Sequence, residues 1–316
     1  MTTMTTGPGA STVLARASFV APWAIVLAAF VFFAPSAPVG GFLFELLGVT
    51  AASLMAFGAH ELRRAARTSA IFWEGAARNA WMVGALAALL FFVRGLGDSS
   101  RGLAQVARDM ALAFLPAVYG LALAGLCAVR ALRLRMAGAE APPNETPRVS
   151  TGDHWLGAAL LTVLVVWMVV RSPLGGPWRF APWEVLLHWP AVLVVAGAAV
   201  LVVIMAGAEL RGRIGVAALA LAGTLASLGG LVLVLLGFAD QNLPRVVSGL
   251  SSILTACFVA LVAMLAIANP IEDRRMRLGG SPFPINHTAW ILFPIATLFF
   301  LVIALVLAMT PMQQQM

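Results

Sequence analysis

Lysine is missing from this 316-residue chain, whose basic residues are all arginine: 20 of them, against 13 acidic residues. Without a side-chain amine there is no Schiff-base nucleophile and no phosphate-loop lysine, so both mechanisms drop out. Charge of either sign is scarce, at 10% of residues, whereas soluble domains carry about 25%. Cys127 and Cys257 are the only cysteines, and each lies inside an apolar run with no CxxC and no histidine at ligand spacing. They read as buried thiols acting as small hydrophobes. His60, His154, His188 and His287 fall in separate segments with no i, i+4 pairing. Spacing supports no Ser/His/Asp, Cys/His or paired-carboxylate arrangement at depth. The expectation is therefore no cofactor, no metal and no enzyme activity.

What the chain has instead is apolar sequence: 61% hydrophobic residues and a mean hydropathy of +0.95. Hydropathy predicts nine spans, at about 19–34, 42–60, 80–96, 110–132, 155–171, 184–207, 214–238, 248–269 and 289–309, each near the length needed to cross a bilayer. The fold class expected is an all-α polytopic membrane protein in contact with lipid. The net charge of +7 sits in short loops beside apolar runs, which argues against a nucleic-acid partner. The first span is retained as a membrane helix, since Ala34-Pro35-Ser36-Ala37 runs into Pro38 and disfavours signal cleavage. Placing the N-terminus in the cytoplasm puts fourteen arginines inside, among them Arg63, Arg64, Arg133, Arg135 and Arg274. It leaves six outside: Arg94, Arg101, Arg108, Arg171, Arg179 and Arg245. The positive-inside rule then predicts N-terminus in and C-terminus out. Trp73, Trp81, Trp155, Trp178, Trp183, Trp189 and Trp290 fall at span ends, as in an aromatic belt.

One linker, Ala137 to Asp153, contains Pro142-Pro143 and divides the chain into halves of similar plan. Gly84-Ala85-Leu86-Ala87-Ala88-Leu89 lies over Gly223-Thr224-Leu225-Ala226-Ser227-Leu228 at an offset of 139 (223 minus 84). The same offset lays Phe114 to Tyr119 over Ile253 to Phe258. Glu61-Leu62-Arg63 and Glu209-Leu210-Arg211 close the second and sixth spans at an offset of 148 (209 minus 61). Chance similarity among Ala/Leu-rich helices is the alternative, but three landmarks in one order favour duplication. Four spans per half make the repeat parallel. The organisation predicted is a cytoplasmic tail (1–18), a first four-span repeat (19–136), a cytoplasmic linker (137–153), a second four-span repeat (154–277), and a ninth span with its tail (278–316).

The unit resembles the MotA/TolQ/ExbB proton-channel family, on residues in the last two spans of each half. The Gly-Thr-rich face Gly223-Thr224-Leu225-Ala226-Ser227-Leu228-Gly229-Gly230 is similar to the family's penultimate helix. Ala111-Leu112-Ala113-Phe114-Leu115-Pro116-Ala117-Val118-Tyr119-Gly120 and Ser252-Ile253-Leu254-Thr255-Ala256-Cys257-Phe258 resemble its last helix, as does the exit Asn269-Pro270-Ile271-Glu272. The resemblance implies a bacterial inner-membrane subunit that surrounds a partner's single helix, forms a homo-oligomer, and takes its central carboxylate from an acidic residue of that partner. The family's large cytoplasmic region has no counterpart here, and of its paired threonines only Thr255 survives.

A proton path needs hydroxyls, waters or titratable groups facing a cavity at membrane depth. Thr224 with Ser227, and Ser251 and Ser252 with Thr255, are spaced to share helix faces. Small and hydroxyl residues also simply pack membrane helices closely, so the same residues fit a packing role. Pro116 and Tyr119 mark the equivalent face of the first half. Glu45, Arg94, Asp98, Asp109, Glu184, His188 and Asp240 sit near span ends, Arg94 and Asp98 as an i, i+4 pair. No acidic residue is expected at the centre of a span. The function expected is a channel or scaffold subunit around partner helices. A solute transporter with a cavity between the repeats, or a structural subunit that has lost conduction, are the rivals.

Overall fold

With no water in hydrocarbon to take up backbone N–H and C=O groups, an apolar run must satisfy them within itself, which selects helix. The computed structural model describes residues 39–97, 112–137, 151–170, 188–205, 214–278, 280 and 284–313. They contain ten α-helices, one π-helical turn and, among the described residues, no strand. The helices are α1 (Val39–Phe57), α2 (Ala59–Thr68), α3 (Ala70–Gly97), α4 (Leu115–Met136), α5 (Thr151–Val170), α6 (Trp189–Met205) and α7 (Gly215–Ala239). They continue with α8 (Leu243–Ala263), a π turn (Met264–Ala268), α9 (Asn269–Arg277) and α10 (Pro284–Gln313). Val39 is the only described residue of an N-terminal unit that ends there; everything else belongs to a second unit, Gly40–Met316. The predicted first span, 19–34, lies outside the described residues.

Among the described residues, five helices are long and apolar enough to cross a membrane: Ala70–Val93, Leu115–Met136, Gly215–Ala239, Leu243–Arg277 and Pro284–Val306. Three shorter apolar helices, Gly41–Phe57, Gly152–Trp167 and Trp189–Leu201, match the second, fifth and sixth predicted spans. The chain is an integral membrane protein. Its outer faces agree: Leu193, Val200 and Ile204 on α6, Leu221, Leu228 and Leu235 on α7, and Leu292, Phe299 and Val306 on α10 are exposed. Such faces belong in lipid.

Where hydropathy predicted loops, the structure shows two further pieces of helix. Gly58 sits at φ 75°, a left-handed conformation that glycine takes without strain, and breaks α1 from α2. A side chain there would also meet Asp153, since its Cβ would lie 2.8 Å from Oδ2. The amphipathic α2 lays Leu62, Ala65 and Ala66 against Phe57, Phe72 and Trp73. Ser69 then caps α3, its hydroxyl accepting from the Phe72 N–H at 3.2 Å. Hence α3 begins at Ala70, ten residues before the predicted 80.

The eighth span is likewise longer than read. Pro270 has no N–H to donate and its ring crowds the carbonyl of residue 266, which would kink an α-helix. The π turn Met264–Ala268 widens the backbone just before it, with the Asn269 N–H donating to Met264 O. The helix then continues to Arg277.

Packing centres on α3, 83% of whose spanning window is buried. It packs most extensively on α4, and α7 does so on α8, while α10 contacts both α3 and α7. Glycines set the close approaches. Gly223, Gly230 and Gly237 form a seven-residue stripe on α7, facing Ala260, Gly249 with Ile253, and Val246 of α8. Small residues at such spacing let backbones meet without side-chain obstruction. Gly230 belongs to this face, but Gly229, its neighbour in the Gly-Thr-rich segment, does not: it has open space around it. The α7/α8 turn is tight, with Gln241 at φ 51° and the Asn242 side chain capping α8 by accepting from the Arg245 N–H at 3.2 Å.

Candidate functional site

On α8, Ser248, Ser252 and Thr255 follow one another at i, i+4 and i+7, a strip along one helix face. His188, immediately before α6, lies against all three. Its Nδ1 is 3.0 Å from the Ser252 hydroxyl and its Nε2 is 3.2 Å from the Ser248 hydroxyl. Its backbone N–H donates to the Thr255 hydroxyl at 3.2 Å. In either neutral tautomer one ring nitrogen donates and the other accepts, and each serine hydroxyl can do either. The ring and the two serine hydroxyls therefore form a hydrogen-bonded cluster whose bonds can run either way, while the Thr255 hydroxyl accepts from the His188 backbone.

Thr255 is fully buried, and Ser251 and Ser252 are buried beside it. Within one chain Thr255 thus faces the start of α6. Ser227 and Thr224 are not part of this strip. The Thr224 hydroxyl donates to the Ala220 carbonyl at 2.8 Å and that of Ser227 to the Gly223 carbonyl at 2.8 Å. Both are back-bonded to their own helix, as the packing alternative requires. Ser227 also lies 3.4 Å from the Cys257 sulfur.

Pro116 and Tyr119 are buried on the α1/α3 side of α4. The Tyr119 ring meets Phe42 edge-on at 6.4 Å, and its hydroxyl has no hydrogen-bond partner among the described residues. Asp240 caps α7 and pairs with Arg245 at 2.5 Å on an exposed surface. Asp98 and the side chain of Arg94 lie outside the described residues.

No family model matches this chain, nor does any curated protein or solved structure.

Two polar groups are buried where none was expected to be. Glu45 is fully buried, and its Oε1 lies 2.9 Å from where a Cβ on Gly84 would stand. Gly84 is nine residues from Val93 and fourteen from Ala70 in that span, about 14 and 21 Å of helix. Glu45, one turn inside its own short helix, thus lies near a span end as expected but is buried against the middle of α3 and not solvated.

The second group is a polar junction between α3, α9 and α10. Arg78 pairs with the buried Asp273, and its guanidinium stacks 4.0 Å over the Trp290 ring. Asn269 donates to Asn79 Oδ1 at 2.8 Å and accepts from the Trp290 indole N–H at 2.8 Å. Trp290 is thus buried core and not a member of an interfacial belt. Arg274 donates to the Met55 carbonyl at 2.6 Å, tying α9 to α1. Sequence reasoning had Asn269 only as part of a family-like exit, and passed over Asn79 because a single asparagine in a loop carries no pattern.

Proposed function

We propose that this chain is a channel or scaffold subunit of the MotA/TolQ/ExbB type in a bacterial cytoplasmic membrane. In this reading it is built of two parallel four-helix repeats and a ninth helix. The observation that carries the reading is the strip of His188, Ser248, Ser252 and Thr255, which puts a half-buried titratable ring against the hydroxyls of an apolar helix. Intramembrane ionisable residues of this kind mark ion and proton pathways. The duplication is supported by the helix crossings. The Cβ position of Gly84 is 3.0 Å from Gly120, and that of Gly223 is 2.7 Å from Ala260. Adding 139 to 120 gives 259, one residue away. The exposed Leu121, Val129 and Leu132 on α4 are surface that further copies or a single-span partner carrying an acidic residue would cover.

The scaffold alternative has its own observation, the back-bonded hydroxyls of Thr224 and Ser227. Proton flux into liposomes containing the full chain, with its copurifying partner, separates the two. A net hydrogen bond of about 1.4 kcal/mol removed from the route slows it about tenfold. Thr255→Val and His188→Gln should each lower flux by about that factor while assembly stays intact. Full flux in both variants, with normal assembly, would leave only the scaffold.

The topology follows from the arginine asymmetry. A single cysteine introduced in 95–107 should react with an impermeant maleimide from outside, and one in 137–150 should not. Cys127 and Cys257 are buried and give no background. Outside labelling of 137–150 would reverse the orientation.

A further inference from the structure

Three helices converge on the Glu45 side chain. Its Oε1 lies 2.9 Å from the Cβ position of Gly84 on α3 and 3.1 Å from that of Gly120 on α4. Neither carboxyl oxygen has a hydrogen-bond partner among the described residues. Both glycines leave the space that the carboxyl occupies. We propose that Glu45 is a reversible proton-binding site inside the membrane, seated at the crossing of α1, α3 and α4.

An ionised carboxylate with no cation and no donor against it is strongly unfavourable in a low-dielectric interior, and uptake of a proton removes the charge. The polar groups the crossing offers are acceptors: the Pro116 carbonyl oxygen stands 3.0 Å from the same Gly84 Cβ position and the Ala80 carbonyl oxygen 2.7 Å from that of Gly120. A carbonyl gives a carboxylate nothing but can accept from a carboxylic acid. A metal ion fits poorly, because hard cations take six or more oxygens, and here one carboxyl is pressed against two helix backbones. The proton alone needs no volume.

Among the described residues, the titratable and charged groups on the surrounding helices are few. Tyr119 is the neighbour of Gly120 on α4. Arg78 on α3 and Arg130 on α4 stand six and ten residues along from Gly84 and Gly120, about 9 and 15 Å of helix rise, and Arg78 is committed to Asp273. Asp153 and His154 of α5, which packs on α1 through Gly157, lie beyond Met55. None supplies a fixed positive charge at the carboxyl. The proposal does not depend on conduction through the His188 strip; either can fail alone.

Infrared spectroscopy of the full chain in lipid nanodiscs, titrated from acid to alkaline pH, reads a protonated carboxyl directly and needs no reagent to reach it. The expected result is a carboxylic acid C=O band that falls as pH rises and is missing from Glu45→Gln. Assignment has a second route should that variant not fold. Carbon-13 glutamate should shift the band in the natural chain but not in Glu45→Asp. A glutamic acid band that is the same in the natural chain and in both Glu45 variants at every pH, or a Glu45 band unchanged by pH, overturns the proposal.

Discussion

Asp273→Ala should lower stability by about 3–5 kcal/mol, the range for a buried ion pair that loses one member. Asp273 is 1% exposed and its partner Arg78 13%, so the guanidinium left behind would stay largely desolvated. Gly75, one turn before Arg78 on α3, leaves the room the carboxylate occupies, since a Cβ there would stand 2.9 Å from Oδ2. The cation–π contact with Trp290 remains in the variant but cannot replace a counter-charge, being worth about 0.5–2 kcal/mol. Arg78→Ala should cost a similar amount. The Arg78→Ala/Asp273→Ala double variant should cost well under the sum, because the second truncation removes the unpaired charge. Denaturant unfolding in mild detergent, followed by circular dichroism, measures all three. Additive losses would mean that the pair is not coupled.

Gly120→Ala should be nearly as damaging by a different route. Its Cβ would stand 2.7 Å from the Ala80 carbonyl oxygen and 2.8 Å from the Gly84 Cα. Both are backbone atoms and cannot swing aside, so α3 and α4 would have to separate. Overpacking of this kind costs about 1–3 kcal/mol, and contact with backbone on the facing helix puts Gly120→Ala near the top of that range. Gly125, on the same helix with open space around it, is the control. Gly125→Ala should leave stability unchanged or raise it, since alanine is the better helix former. Equal effects of the two substitutions in thermal unfolding would show that helix propensity, and not the crossing, decides.

Legibility in the sequence varied with the kind of evidence each residue offered. The apolar runs behind α3, α4, α7, α8 and α10 were readable because a bilayer demands length and apolarity, and both are properties of consecutive residues. The start of α8 was not: hydropathy begins the eighth span at 248, five residues inside the helix that Asn242 caps. The two largest boundary errors share one cause. Residues 70–79 carry Glu74, Arg78 and Asn79, and residues 269–277 carry Asn269, Glu272, Asp273 and three arginines. Hydropathy therefore ended both spans early, yet both stretches are helical, and Arg78–Asp273 and Asn79–Asn269 join them. Each polar stretch is the other's partner.

The candidate site divides in the same way. Spacing alone put Ser252 and Thr255 on one face, because the helix period links them within a single run. It could not supply His188, which is 60 residues from Ser248 and 67 from Thr255, nor show that Thr224 and Ser227 turn their hydroxyls back on their own helix. Glu45 is the clearest case. One turn inside a short span, it resembles any interfacial carboxylate in the sequence, and only the approach of Gly84 and Gly120 from two other helices buries it.

What the sequence alone determined is the solvent: with 61% hydrophobic and 10% charged residues the chain must fold in lipid, as helices. What the tertiary structure decided is the fate of each polar group. The free energy of a buried polar side chain is set by the atom opposite it, and that atom lies on another helix.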